Sequence, residues 1–137
     1  MISVYDTHLS AGNGVYVPEY VKTKKKLAFD LDWIIKKGFK ADNLKLFPVR
    51  GDSMSYTLND GDLVLIDTSE REVVDGKIYA LIVGDQQKIK RLKKTASGGF
   101  VIMSDNPSPT YENEIVESGD VDFIQIIGQA VHKSGDL

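Results

Sequence analysis

The stretch RGDSMSYTLNDGDLVLID, residues 50–67, places a serine between an aspartate and a methionine and follows it with turn residues and a hydrophobic segment. Asn, Asp and Gly favour tight turns, and Leu63–Asp67 has the length and composition of a buried strand. The stretch therefore predicts a turn that presents the Ser53 hydroxyl next to a strand of the core. A serine in this position needs a base before it can act as a nucleophile.

Short strands dominate the chain on both sides of this stretch, from residue 44 onward. Segments rich in Gly, Asn, Asp and Pro separate them, and their predicted bounds are Leu46–Arg50, Ile78–Val83, Lys88–Leu92, Phe100–Met103 and Val121–Val131. One short helix is predicted near the N-terminal end, in DLDWIIKKG, where Asp30 is a candidate N-cap and Gly38 a stop signal. We predict a mainly β fold.

The length and composition favour one globular domain and exclude several functions. The 137 residues divide into an N-terminal arm, 1–28, and a folded part, 29–137. The chain has no cysteine, which excludes disulfides and thiolate catalysis, and its net charge of -3 gives it no general attraction to nucleic acid. No apolar run is long enough to span a membrane and no signal peptide is recognisable, so we expect a cytoplasmic protein. No metal and no cofactor is predicted.

The base that activates Ser53 is better sought among the lysines than among the histidines. His8 and His132 both lie near a chain end, outside any triad context, and the glycine-flanked elbow of the hydrolases is missing. In QQKIKRLKK, residues 86–94, Lys88 and Lys90 share one face of a predicted strand. To act as a base near neutral pH, a lysine needs a pKa lowered from about 10.4 toward 7. Its surroundings must then favour the neutral amine by roughly 4–5 kcal/mol, which burial can supply. From these residues alone, a charged strand edge remains the alternative.

Three segments together resemble a known family. RGDSM, LNDGDLVLID and KIKRLKK, in this order, resemble the LexA and phage CI-type repressor C-terminal domains, which are self-cleaving serine peptidases with a Ser-Lys dyad. The resemblance extends from SAGNG in the arm to IIGQAVHKSGDL at the end of the chain. It implies a LexA/signal peptidase-like β domain of short, strongly bent antiparallel strands.

The resemblance also implies roles for individual residues. Ser53 corresponds to the nucleophile and Lys90 to the general base, whereas Lys88 is a neighbour without a catalytic role. The backbone amides of Ser53 and Met54 correspond to the oxyanion donors. The scissile bond of the family, usually between alanine and glycine, corresponds to Ala11–Gly12 in the arm.

The function implied by the resemblance is that of an autoproteolytic and dimerisation domain of a phage-type LexA-like transcriptional repressor. Cleavage at Ala11–Gly12 would inactivate repression in an SOS response. The implied partners are a second copy of the chain, a recombinase filament on single-stranded DNA as co-protease, and operator DNA, contacted only through a helix-turn-helix domain absent from these residues. The apolar run Phe123, Ile124, Ile126 and Ile127 predicts either the dimer contact or a core strand.

Two other functions remain open at this point. The first is a self-processing accessory subunit of a translesion polymerase. The second is a dimerisation module of the same fold that does not cut. A peptidase acting on other chains has less support, because no membrane anchor is predicted.

Overall fold

A single eight-stranded sheet is the main element of the part of the chain that the computed structural model describes, which is residues 3–4, 32 and 35–134. Its eight strands are β1 (Ser3–Val4), β2 (Leu44–Pro48), β3 (Leu63–Asp67), β4 (Lys77–Val83), β5 (Gln86–Lys94), β6 (Phe100–Met103), β7 (Glu114–Val116) and β8 (Ile124–Ser134). Their order across the sheet is β1-β2-β3-β8-β4-β5-β6-β7. All neighbours are antiparallel except β1 and β2. The predicted mainly β fold is confirmed.

The last strand, β8, lies at the centre of the sheet and is irregular on both sides. Its register shifts against β3 between Leu65 and Ile66, and against β4 between Ala80 and Leu81. Such bulges bend a strand and increase its twist. At Gly128 a side chain has no room, because a Cβ atom would lie 2.3 Å from the carbonyl oxygen of Asp67. These features bend the sheet around its central strand.

Buried side chains on both faces of the sheet form the core. On β2, Leu44 and Leu46 join one cluster while Phe47 joins another, as the alternation of side chains along a strand requires. The cluster around Phe47 also contains Met54 and Leu58, which lie in the loop between β2 and β3. This loop carries Ser53, so the core itself fixes the position of the serine turn.

The strand predictions agree with the structure at most positions. Leu63–Asp67 and Phe100–Met103 have the bounds that the sequence predicts. The predicted strand Val121–Val131 begins three residues too early, because Ser118–Phe123 forms a 3₁₀ helix before β8. Two strands are not predicted from the sequence, β1 with two residues and β7 with three, because so few residues show no clear alternation.

Helical structure is sparse in the described part of the chain. A 3₁₀ helix covers Ala41–Asn43, and of the predicted helix Asp32, Ile35 and Lys36 are helical. Gly38 ends this segment with a positive φ of 97°, as a helix stop does. Asp30 lies outside the described residues, as does most of the arm, so the division after residue 28 stays a prediction. No helix of the described residues is long and apolar enough to cross a membrane.

Candidate active site

A cleft of about 560 Å³ brings the two predicted catalytic residues together, with Ser53 and Lys90 both on its walls. Three parts of the chain form it: the end of β2 with the loop after it, the turn and strand of the β4–β5 hairpin, and the loop after β6. The other lining residues are Pro48, Val49, Arg50, Gly51, Met54, Asp85, Gln86, Gln87, Lys88, Ile89 and Tyr111.

The serine turn is held from both of its ends. At its start, the Gly51 N–H donates to the Asp60 carboxylate at 2.7 Å, and Gly51 itself has a φ of 78°, which suits glycine. Further along, the side chain of Met54 is 1% exposed and the Leu58 N–H donates to the Met54 carbonyl at 2.8 Å. The chain therefore makes one helical turn after Asp52. Ser53 is the first residue of this turn and is half-buried.

The backbone amides of Ser53 and Met54 are available for an incoming group. Neither donates a hydrogen bond to another described residue, whereas the next amide, that of Ser55, donates to the Asp52 carbonyl at 3.0 Å. The first N–H groups of a helical turn have no partner within the turn. These two amides can therefore donate to an oxyanion that forms next to Ser53.

Lys90 is half-buried on β5, and its surroundings lower its pKa. Burial is the largest cause, because it disfavours the charged form, and the positive charge of Lys88 acts in the same direction. The negative charge of Glu114 opposes both, but Glu114 also forms an ion pair with Lys88 at 3.5 Å. The direction of the shift is the one that a lysine base requires.

The ammonium of Lys90 contacts two groups in the loop after β6. It donates a hydrogen bond to Ser104 Oγ at 2.7 Å, and it lies 5.7 Å from the centre of the Tyr111 ring. No hydrogen bond joins Lys90 to Ser53 among the residues that the structure describes. In the structure, Ser104 is thus the hydroxyl that Lys90 contacts.

The same loop is bonded to the serine turn. The Asn106 N–H donates to the Ser53 carbonyl at 2.9 Å, and the Asn106 side-chain amide donates to the Asp52 carbonyl at 2.8 Å. The Tyr111 hydroxyl donates to the Asp52 carboxylate, which raises the pKa of Tyr111. The loop therefore connects the strand that carries Lys90 to the turn that carries Ser53.

Asp105 adds a charged connection to these, an ion pair with Arg91. Its carboxylate accepts two hydrogen bonds from Arg91, at 2.8 and 2.6 Å, and a third from the Thr57 hydroxyl at 2.6 Å. Its own N–H donates to the Met54 sulfur at 3.3 Å. The hydrogen bond from Arg91 is the main reason why the pKa of Asp105 is lowered. Asp105 thus joins β5 to the serine turn through charged and neutral partners.

The contacts of this loop are not predicted from the sequence; the residues that make them are Ser104, Asp105, Asn106 and Tyr111. The segment around DNPSPT has the composition of a turn, and a turn is all that its sequence predicts. The available signal was the polar Ser-Asp-Asn run directly after the apolar strand Phe100–Met103. Loops of this kind often carry functional residues, but the signal does not identify the partners of the loop.

The remaining predicted residues lie elsewhere or outside the described part. Ala11–Gly12 and His8 fall outside it. His132 pairs with Leu65 on the sheet and is not among the residues that line the cleft. Lys88 lines the cleft next to Lys90.

The predicted apolar run near the C-terminus divides between the core and the surface. Ile124 and Ile126 pack against one buried cluster and Ile127 against another. Phe123 is 72% exposed. The core-strand alternative therefore describes the three isoleucines, and Phe123 remains on the surface.

Comparison with known proteins gives one matching family and several repressors. The model of a family described as Peptidase S24-like matches residues 3–131. The repressor protein CI of Enterobacteria phage phi80 is 34% identical over 74% of this chain and 43% of its own length. An uncharacterised HTH-type transcriptional regulator of Haemophilus influenzae is 31% identical over 96% of this chain and 55% of its own length.

A cellular repressor shows a similar level of identity. The LexA repressor of Burkholderia cenocepacia is 36% identical over 67% of this chain and 42% of its own length. The chain thus spans about half the length of the curated relatives it matches.

Proposed function

The chain belongs to the Peptidase S24-like family, and on that premise we propose that it is the autoproteolytic and dimerisation domain of a phage-type LexA-like repressor. The proposal is that it cuts its own arm between Ala11 and Gly12 with Ser53 and Lys90. The repressor part of the proposal is supported by the relatives, which are named as CI, LexA and HTH-type regulators.

One observation carries the catalytic part of the proposal. Ser53 and Lys90 line one cleft, although they come from different strands and loops, and Lys90 has a lowered pKa whose main cause is burial. A lysine in such a place is a better base than one in water, since less energy is needed to remove its proton. The amides of Ser53 and Met54, which donate to none of the described residues, support the same role for this cleft.

The proposed reaction proceeds through an ester of the serine. The neutral Lys90 amine takes the proton of the Ser53 hydroxyl as its oxygen attacks the carbonyl carbon of Ala11. The oxyanion accepts hydrogen bonds from the amides of Ser53 and Met54, and the Lys90 ammonium then protonates the departing Gly12 nitrogen. Water, deprotonated by the same amine, hydrolyses the Ala11 ester and restores Ser53.

The intramolecular substrate compensates for a modest catalyst. Holding a reactant beside the nucleophile replaces a bimolecular step and reduces the barrier. Closing the chain between Ala11 and Ser53 costs about 3 kcal/mol of entropy, which the docked arm has to offset. A small dipeptide suits this cleft, because the arm must bring its backbone close to the serine.

Partners follow from the repressor proposal. We propose that operator DNA is bound by a helix-turn-helix domain outside this chain, and that two copies of this chain pair so that two half-sites are bound together. Exposed Phe123 supports a pairing contact at the beginning of β8. A recombinase filament on single-stranded DNA is proposed to favour the docked arm, and the bacterial cytoplasm is the proposed location.

The intact mass of the purified chain, followed over time at pH 7 and at pH 10, tests the proposal. We expect an N-terminal peptide ending at Ala11 to be released, faster at pH 10 because more of Lys90 is neutral there. Ser53→Ala and Lys90→Ala should abolish the release. Lys93→Ala is the matched control, because Lys93 is an exposed lysine of the same strand, and it should cut as the unmodified chain does.

The outcomes also separate the alternatives. A chain that stays intact at both pH values contradicts autoproteolysis and favours a dimerisation module that does not cut. Cutting that survives Lys90→Ala contradicts the proposed base. A polymerase accessory subunit would also cut itself, so operator binding by the parent protein, measured before and after cleavage, decides between that function and repression.

A further inference from the structure

We propose that Ser104 is a positioning residue, whose hydroxyl directs the Lys90 amine so that its lone pair is presented to Ser53. This inference rests on the proposed function and adds a residue to the same site. Ser104 has no role in the reaction as proposed above, since neither the proton transfers nor the oxyanion contacts use it.

The contact with Lys90 gives the first argument. Lys90 Nζ donates to Ser104 Oγ at 2.7 Å, a distance typical of a charge-assisted hydrogen bond. A neutral amine has two N–H groups and one lone pair. If one N–H remains bonded to Ser104, rotation about the last side-chain bond is restricted, and the lone pair is confined to a narrow range of directions. A lysine is otherwise flexible at this bond, so the contact selects an orientation.

The fixed position of the loop gives the second argument. The two residues after Ser104 are bonded to the two halves of the site: Asp105 to Arg91 at 2.8 and 2.6 Å, and Asn106 to the Ser53 carbonyl at 2.9 Å. Ser104 is thus placed relative to both Lys90 and Ser53 by bonds on either side. A hydroxyl on a free loop could not hold a direction, whereas one on this loop can.

The other groups that act on the Lys90 ammonium do not orient it in the same way. Lys88 and Glu114 act through their charges, in opposite directions, and are paired with each other. The Tyr111 ring lies 5.7 Å away and attracts the ammonium without a directional bond. Of these described neighbours, Ser104 is therefore the one whose contact depends on direction.

The experiment compares the rate of self-cleavage against pH for the unmodified chain, Ser104→Ala, Ser104→Thr and Thr110→Ala. In Ser104→Ala we expect the plateau rate at high pH to fall about 10- to 100-fold, since the amine loses its orientation. We also expect the midpoint to move about one pH unit lower, because the ammonium loses the oxygen that accepts its hydrogen bond. Ser104→Thr keeps the hydroxyl and should restore most of the rate. Thr110→Ala removes an exposed hydroxyl of the same loop and should behave as the unmodified chain.

An independent titration follows Lys90 itself by lysine-labelled NMR in chains that also carry Ser53→Ala and cannot cut. Adding Ser104→Ala should lower the pKa of Lys90, and circular dichroism checks that each variant is folded. If the unmodified chain cuts while Ser104→Ala keeps its plateau rate and midpoint, the role of Ser104 is refuted and the proposed function stands. If the unmodified chain does not cut, the proposed function fails, and the role of Ser104 fails with it.

Discussion

Replacing Asp105 with asparagine should destabilise the protein by about 2 kcal/mol at neutral pH. The carboxylate accepts two hydrogen bonds from Arg91 and one from the Thr57 hydroxyl. An exposed ion pair contributes little, but Asp105 is only 15% exposed and Arg91 32%, so solvent screens this pair incompletely. A hydrogen bond to a charged group contributes roughly 1.5–3 kcal/mol, and asparagine keeps part of the bonding. For a domain of this size, about 2 kcal/mol corresponds to a Tm lower by roughly 7 °C.

The effect of Asp105→Asn should depend on pH in a defined direction. The folded protein holds the pKa of Asp105 below its ordinary value of about 3.9, mainly through the hydrogen bond from Arg91. A lowered folded pKa stabilises the protein above the unfolded pKa, and this contribution is lost as the pH falls through the folded pKa. The stability difference between the unmodified chain and the variant should therefore be complete at pH 6–7 and shrink below about pH 4.

Urea unfolding, followed by circular dichroism at pH 7 and at pH 3, measures this difference. Asp122→Asn is the matched control, because Asp122 is exposed in the 3₁₀ helix before β8, and it should change the free energy of unfolding by less than about 0.5 kcal/mol. An Asp105→Asn variant as stable as the unmodified chain at pH 7 would refute the reasoning. So would an equal loss at pH 7 and pH 3, because that result would not come from a charged carboxylate.

Two further predictions concern the centre of the sheet and the charge beside the proposed base. Gly128→Ala should lower the free energy of unfolding by about 3 kcal/mol, because its Cβ would lie 2.3 Å from a backbone oxygen of β3. Gly119→Ala is the control and should have little effect, because open space surrounds Gly119. Thermal melts of the two variants measure the difference. Lys88→Ala removes a charge that lowers the pKa of Lys90, so the pH midpoint of self-cleavage should move upward, while Lys93→Ala should leave it in place. A midpoint that stays or falls in Lys88→Ala would contradict this electrostatic argument.

Local signals explain which parts of the fold could be predicted from the sequence. Leu63–Asp67 follows a turn, and its four apolar residues end at an aspartate, so its bounds can be predicted from the local sequence alone. In the strand that carries Lys90, Ile89 and Leu92 are the buried residues among polar and charged ones, and they join two different clusters of the core. By contrast, β7 has only three residues, and the register of β8 shifts at bulges, which have no reliable local pattern.

The contacts of the loop after β6 depend on the fold as a whole, so the local sequence does not predict them. Asp105 and Thr57 are 48 residues apart along the chain, and Asn106 and Asp52 are 54 apart. A run of Ser, Asp, Asn and Pro indicates a turn whether or not its side chains have distant partners. The pairing of β5 with β6 brings this segment against the serine turn, which carries Ser53. The resemblance to a family predicts Ser53 and Lys90, which line one cleft in the structure, but it does not extend to this support.

Lys90 is half-buried, so docking of the arm on the cleft should also affect the protonation of its amine. Burial is already the main cause of its lowered pKa, and an arm that covers the rest of the amine would lower that pKa further for the same reason. Docking and deprotonation are then linked, so that whatever favours one favours the other. Each pH unit changes the free energy of deprotonation by about 1.4 kcal/mol, so going from pH 7 to pH 10 supplies up to about 4 kcal/mol. This is comparable to the closure entropy of about 3 kcal/mol for the arm. High pH should therefore replace a partner that stabilises the docked arm, and the benefit from such a partner should diminish as the pH is raised.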